Sequence, residues 1–191
     1  MAKFSPGLPV RIGLIAYVAV VALGLMSYVF YKAMFLSMVV SGVMGIFYIS
    51  LVLMLAIWSG IAYRSANNDV ISFSHAFLAI YIVFAFCSLG NVFSTLLVNK
   101  LIDRDFPKKV YAIKVQKAKA EMKAMNKTDE QQMEELAKIK PEDADPSYED
   151  MAKNFATLLA ATAVFSLLVA LFIKRSSGDL IRMNEKNTIA G

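Results

Sequence analysis

Four long stretches of the chain carry no charged residue: Ile12–Tyr31, Ala33–Tyr63, Ala76–Asn99 and Asn154–Ile173. Within them apolar side chains run on continuously, as in Val18–Met26 and Ser166–Phe172. A barrel strand would instead alternate polar and apolar positions. A helix at the surface of a soluble fold keeps a polar face, whereas about 20 apolar residues cover the ~30 Å hydrocarbon core of a bilayer. Backbone groups in lipid must be paired inside a helix or a closed sheet, so the pattern predicts membrane-spanning helices. Four are expected. Ala33–Tyr63 is longer than one span needs and shorter than two, which places a helix near Val39–Ala62 and leaves Lys32–Met38 as a tight hairpin. Lys3 and Arg11 ahead of the first stretch would also suit a secretory signal. Its apolar run is longer than a usual signal core and lacks a small-x-small cleavage site, so a span is the preferred reading.

The pattern changes at Lys100–Lys153. Asp105 offers an N-cap and Pro107 suits a first helical turn. Tyr111, Val115, Ala118, Met122 and Met125 then follow at alternating spacings of four and three, one apolar stripe on a helix whose other faces carry Lys114, Lys117, Lys119 and Lys123. Thr128-Asp-Glu-Gln131 is a capping box opening a second helix, with Met133 and Leu136 on one side and Pro141 as its end. Ser147 is the expected N-cap of a helix running into the last span. The expected fold class is therefore an all-α membrane protein, with four transmembrane helices and a helical extramembrane hairpin between helices 3 and 4. Residues 1–176 form that domain, including the charged insert 100–153, and 177–191 form a polar tail. The stripe either packs against the acidic second arm (Asp129, Glu130, Glu134, Glu135), docks a protein partner, or lies on anionic lipid.

Composition agrees, with 58% hydrophobic residues and a mean hydropathy of +0.55. The insert holds twelve Lys/Arg and twelve Asp/Glu; the remainder holds eight against three and supplies the formal net charge of +5. Seven of those eight cations (Lys3, Arg11, Arg64, Lys174, Arg175, Arg182, Lys186) share one side if four helices alternate, and only Lys32 joins the insert opposite. Counting short flanking cations puts both termini in the cytoplasm, although the insert's own cations argue the other way. The pI of about 9.2 reflects those flanks and carries no nucleic-acid footprint.

Inside the spans, Ser37, Ser41 and Gly45 form a small-residue ridge, and Ala152, Ala156 and Ala160 form another. Such ridges let helices approach closely in lipid, here within the protomer or along a homodimer seam. Asn91, on one face with Ser88 and Thr95, is expected to bond a neighbouring helix. Tyr31, Trp58 and Tyr63 read as interfacial anchors. His75, the single histidine, is expected to cap the third span, and Cys87 is alone in mid-span. No metal or cofactor site is expected, and no catalytic acid, base or nucleophile can be assembled. The spans hold no ionisable residue of the kind that marks coupled transport, and no internal repeat aligns.

Tyr63-Arg64-Ser-Ala-Asn-Asn-Asp-Val-Ile-Ser-Phe-Ser-His-Ala-Phe77 resembles the joint between the second and third helices in domain of unknown function 4199, a family of small bacterial four-helix membrane proteins. The family reads a Tyr-Arg pair, a polar Asn/Gly-rich turn and then Ile-Ser-Phe-Gly-Glu-Ala-Phe. Leu101-Ile-Asp-Arg-Asp-Phe106 is similar to its Ile-Asp-Pro-Asp-Phe, so His75 stands where the family has Glu and Arg104 where it has Pro. The resemblance covers residues 10 to 176 and implies fold and a bacterial inner-membrane location, with no activity. The expected function is a non-enzymatic scaffolding or regulatory component in the lipid bilayer. It would dock a protein partner through Tyr111, Val115, Ala118, Met122 and Met125, or self-associate. The alternative is a small oligomeric permeation subunit using the Ser88/Asn91/Thr95 face.

Overall fold

The computed structural model describes residues 4–125, 128–139 and 145–174. Among the described residues seven α-helices form: α1 (Gly7–Val29), α2 (Tyr31–Leu36), α3 (Met38–Ser65), α4 (Phe73–Leu96), α5 (Phe106–Ala124), α6 (Asp129–Ala137) and α7 (Tyr148–Ile173). Among the described residues there is no β-strand. Four helical segments, Gly7–Val29, Met38–Ser65, Phe73–Ile102 and Tyr148–Ile173, are long and apolar enough to cross a bilayer. The chain is thus an all-α, multi-pass membrane protein. Pro141 and the 177–191 tail lie outside the described residues.

Three local features differ from the sequence expectation. Lys32–Met38 is a helical turn rather than a hairpin: α2 occupies Tyr31–Leu36, and extended Ser37 (φ −109°, ψ 115°) separates it from α3. The Ser37 hydroxyl accepts from the Val40 amide at 3.3 Å, so the break doubles as the cap of α3. The third span does not end as an α-helix, because Leu97–Ile102 is π-helical and the Asp103 amide reaches back five residues to the Val98 carbonyl at 2.9 Å. Asp105 precedes α5 but makes no side-chain cap; its carboxylate takes the Lys108 ammonium at 2.7 Å. The other two caps form as expected. Thr128 and Gln131 exchange both capping-box bonds, and Ser147 exchanges bonds with Asp150 at 3.1 and 3.2 Å.

Contacts divide the chain into two compact units. The first combines Met1–Ala19, Ser50–Gly90 and Ala156–Gly191. Its core includes Ile12, Ala16, Leu55, Ala56, Ala79, Ile80, Val83 and Ala170, all buried. Small residues set the helix spacing, as expected where lipid offers no hydrophobic drive to association. A Cβ on Gly60 would lie 2.7 Å from Ile173 Cδ1, and one on Gly13 would lie 2.5 Å from the Phe86 ring. Fully buried Ser59 donates its hydroxyl to the Ala79 carbonyl at 2.8 Å, bonding α3 to α4.

The second unit combines Val20–Ile49 and Asn91–Phe155. Here α5 lies against both α2 and α6. Phe106 meets the rings of Tyr28 and Tyr31 edge-on, with centroids 5.0 and 5.2 Å apart. Asp103 gathers the Lys109 ammonium and, at 3.5 Å, the Tyr28 hydroxyl, while Lys100 pairs with Asp145 at 2.9 Å. Gly24 admits Ser94, whose Cβ stands 2.5 Å from where a glycine Cβ would be.

Candidate functional site

The joint between α3 and α4, in the first unit, carries the motif singled out in the sequence. Asn67 and Asp69 both donate their amides to the Arg64 carbonyl, at 2.9 and 3.1 Å. The Asn67 side chain donates to the Tyr63 carbonyl at 2.7 Å. Asn68 and Asp69 take left-handed backbone angles (φ 55° and 60°), which Asn and Asp tolerate better than other side chains. Arg64 Nε stands 3.7 Å from the Asp69 carboxylate, and another guanidinium nitrogen donates to the Ile173 carbonyl at 3.4 Å. A cation there suits the negative end of α7.

Tyr63 is not an interfacial anchor. It is buried, 3% exposed, and its hydroxyl accepts from the Ser5 amide at 3.0 Å. Its ring packs with Phe4 at 5.1 Å and with His75 at 6.4 Å, and Phe4 meets His75 at 5.5 Å. Nor does His75 cap α4, because Ser72 does: its hydroxyl accepts the His75 amide at 3.3 Å. Position 75 is three residues after the Ser72 cap, so glutamate there would complete a capping box, whereas the histidine fills an aromatic cluster. The joint is a set of caps and packing contacts that holds helix ends together.

The remaining sequence candidates are divided between the units, with Ser88, Ala156 and Ala160 in the first and Ser41, Gly45, Asn91 and Ala152 in the second. Ser41, Gly45 and Asn91 come together on the wall of a cavity of about 400 Å³, with Leu23, Gly24, Ser27, Met34, Met44 and Tyr48. The close approach expected along Ser37, Ser41 and Gly45 is not made at Gly45 or Ser41 among the described residues: a Cβ on Gly45 would meet nothing within 4 Å, and Ser41 is exposed. Ala152, Ala156 and Ala160 are exposed on α7. Asn91 binds no neighbouring helix through its side chain among the described residues; its carbonyl accepts the Ser94 and Thr95 hydroxyls at 2.9 and 3.0 Å. Ser88, expected on the same face, is buried while Asn91 is exposed.

Along the stripe of α5, Met122 is buried, Tyr111, Val115 and Ala118 are half-buried, and Met125 is 66% exposed. Most of the stripe therefore belongs to the packing around α5. A second cavity, of about 420 Å³, is lined by Met34, Phe35, Ser41, Lys114, Lys117, Ala118, Glu121, Lys138 and Ile139. Lys117 is 3.9 Å from Glu121 and Lys138 is 3.4 Å from Glu134, while Lys114 has no ion-pair partner among the described residues. The sequence reading missed both cavities, since no local pattern announces where α2 will meet α5. It also missed Gly13, Gly24 and Gly60, which lie alone rather than in a repeated ridge.

Near the root of α5, hydrogen bonding and charge shift three exposed groups. The Asp103 carboxylate raises the Lys109 pKa by accepting a hydrogen bond from the ammonium, and the Asp105–Lys108 hydrogen bond lowers the carboxyl and raises the ammonium. Among the described residues no cluster of three or more His, Cys, Asp or Glu is placed to hold a metal ion. No curated protein and no solved structure matches the chain. A family model does, over residues 11–175, the stretch that contains the α3–α4 joint, the root of α5, three whole spans and all but the first four residues of α1. The chain belongs to the family of proteins of unknown function DUF4199.

Proposed function

We propose that the protein is a non-enzymatic scaffolding or regulatory component of the bacterial inner membrane, and that it holds a protein partner through an extramembrane helical hairpin formed by α5 and α6. The observation that carries this reading is the order built into that connection. A link between two spans needs only a handful of residues. This one contains two helices, a complete capping box on Thr128 and an aromatic and ionic root on Phe106 and Asp103. The stripe expected to dock is largely taken up by packing, so the contact moves to the exposed side chains Met125 and Met133, at 66% and 74%. Methionine is suited to adaptable binding surfaces.

The test is capture of a native partner by crosslinking in intact membranes, followed by Met125→Ser with Met133→Ser. The double variant should lose the crosslinked partner while keeping thermal stability in detergent. Undiminished capture would remove the docking reading. In the same reading both termini are cytoplasmic. With Cys87→Ser as background, Thr128→Cys should react with an impermeant thiol reagent on intact cells and Ser5→Cys should not.

A second reading, a small oligomeric permeation subunit, draws on the cavity wall of Ser27, Ser41, Tyr48 and Asn91. It expects Asn91→Leu to change solute flux in reconstituted vesicles and leave partner capture intact.

A further inference from the structure

We propose that the second unit holds an anionic phospholipid, with its headgroup phosphate in the lysine-lined cavity and one acyl chain in the mostly apolar cavity beside it. Depth comes first. α2 is a six-residue helix joined by single residues, Phe30 and Ser37, to two membrane-spanning helices, so it lies at a bilayer surface. The lysine-lined cavity is built on α2 and is therefore at headgroup level.

Its chemistry is that of an anion site with a greasy side. Lys114, Lys117 and Lys138 line it with one carboxylate, Glu121, and Lys138 is also 3.4 Å from Glu134 outside the lining. Lys114 is half-buried and unpaired among the described residues, and the 3.9 Å pairing of Lys117 leaves that ammonium free to take a better acceptor. Met34, Phe35 and Ile139 make the wall on which a glycerol backbone would rest. A phosphate with no tail would leave those side chains without a partner.

The two cavities share Met34 and Ser41, which makes them neighbours along one path. Beyond Ser41 the lining is mostly apolar, with Val20, Leu23, Gly24, Met44 and Gly45, while Ser27, Tyr48 and Asn91 supply its few polar atoms. Each volume, about 420 and about 400 Å³, falls in the ordinary range for small-molecule sites, roughly 300–1,000 Å³. The lack of any atom near a Gly45 Cβ fits a groove that a flexible chain fills. The site involves neither Met125 nor Met133, so its fate is separable from that of the docking surface.

The test uses the full chain in a zwitterionic detergent, with lipid adducts read by native mass spectrometry. The probes are phosphatidylglycerol, phosphatidylcholine with the same chains, and inorganic phosphate. Phosphatidylglycerol should be retained at least about tenfold over phosphatidylcholine, since each lysine near an anionic surface contributes roughly fivefold. Lys114→Gln with Lys117→Gln and Lys138→Gln should erase that preference. Lys114→Gln alone, which breaks no ion pair, should lower it about fivefold and serves if the triple variant fails to fold. Gly45→Leu should weaken phosphatidylglycerol retention with every lysine in place. Equal retention of the two lipids, an unchanged preference in the lysine variants, or full competition by inorganic phosphate would each overturn the proposal, the last by showing a site for a soluble anion.

Discussion

Gly60 and Gly45 lie on the same helix, yet one is enclosed and the other faces empty space. Around Gly60, in the first unit, Ile80 and Ile173 leave no room for a methyl group, and Ser59 beside it spends its hydroxyl on α4. Around Gly45, in the second unit, a cavity replaces the neighbour. Small residues therefore have two uses in α3. In the first unit they set the distance between helices of the same chain. In the second they leave an opening beside the helix.

The largest expected effect breaks that comparison outright. Gly60→Leu should destabilise the detergent-solubilised protein by about 2–3 kcal/mol, toward the upper end of what overpacking costs, because the new side chain must displace both Ile173 and Ile80. Gly45→Leu should stay within about 0.5 kcal/mol of the parent, as substitutions away from packed features do. Equal melting temperatures for the two variants would mean that the enclosed half of α3 is no tighter than the open half. Next in size is the joint. Asn68→Val should cost about 1–2 kcal/mol, the penalty of a left-handed backbone for an ordinary side chain, while Asn68→Gly should cost almost nothing. Thermal unfolding of the pair isolates backbone strain from any loss of the amide. Ser59→Ala removes one interhelical bond and should cost about 0.6 kcal/mol, the average for such bonds in membranes, and no more than about 1.7.

The smallest effect is a pH dependence at the root of α5. The Asp105 pKa is lowered by the Lys108 hydrogen bond, so its contribution is present above the unfolded carboxyl pKa and fades as pH falls through the lowered folded value. The Lys108 pKa is raised, so its contribution is present below the unfolded ammonium pKa and is lost as pH rises through the raised value. Both groups are solvent-exposed, which keeps the change small. Amide chemical shifts at Lys108 and Lys109 should move in acid and again in strong base, with a flat region between. A monotonic drift across neutral pH would contradict the pairing.

The sequence made the four spans readable because a bilayer imposes one demand on twenty successive positions, and nothing in a neighbouring helix can alter it. Caps on Thr128 and Ser147 were readable for the same reason, being satisfied within three residues. Features that needed two distant segments were not. Tyr63 looked like an interfacial aromatic because its partners, Phe4 and Ser5, come from the start of the chain. His75 was assigned the capping role that belongs to Ser72, since its aromatic neighbours were invisible. The ridge at Ser41 and Gly45 was correctly seen as small. Its spacing says only that something fits closely there, and the same pattern serves a helix of this chain, a second copy or a lipid. The stripe on α5 was legible as a stripe, but α2, too short to stand out in the sequence, was missing from the list of surfaces that could cover it.

The π-helical segment before Asp103 fixes an angle as well as a length. An α-helix turns about 100° per residue, so an extra residue held in a wide turn offsets the phase of everything after it. Deleting Asn99 would restore an α-helical ladder and swing Asp103 away from Tyr28 and Lys109, the two groups it now gathers. The number of residues between Leu97 and Ile102 is thus a rotational setting for the third span, and a change of one there should be felt as misalignment at the root of α5 while hydropathy along the span hardly changes.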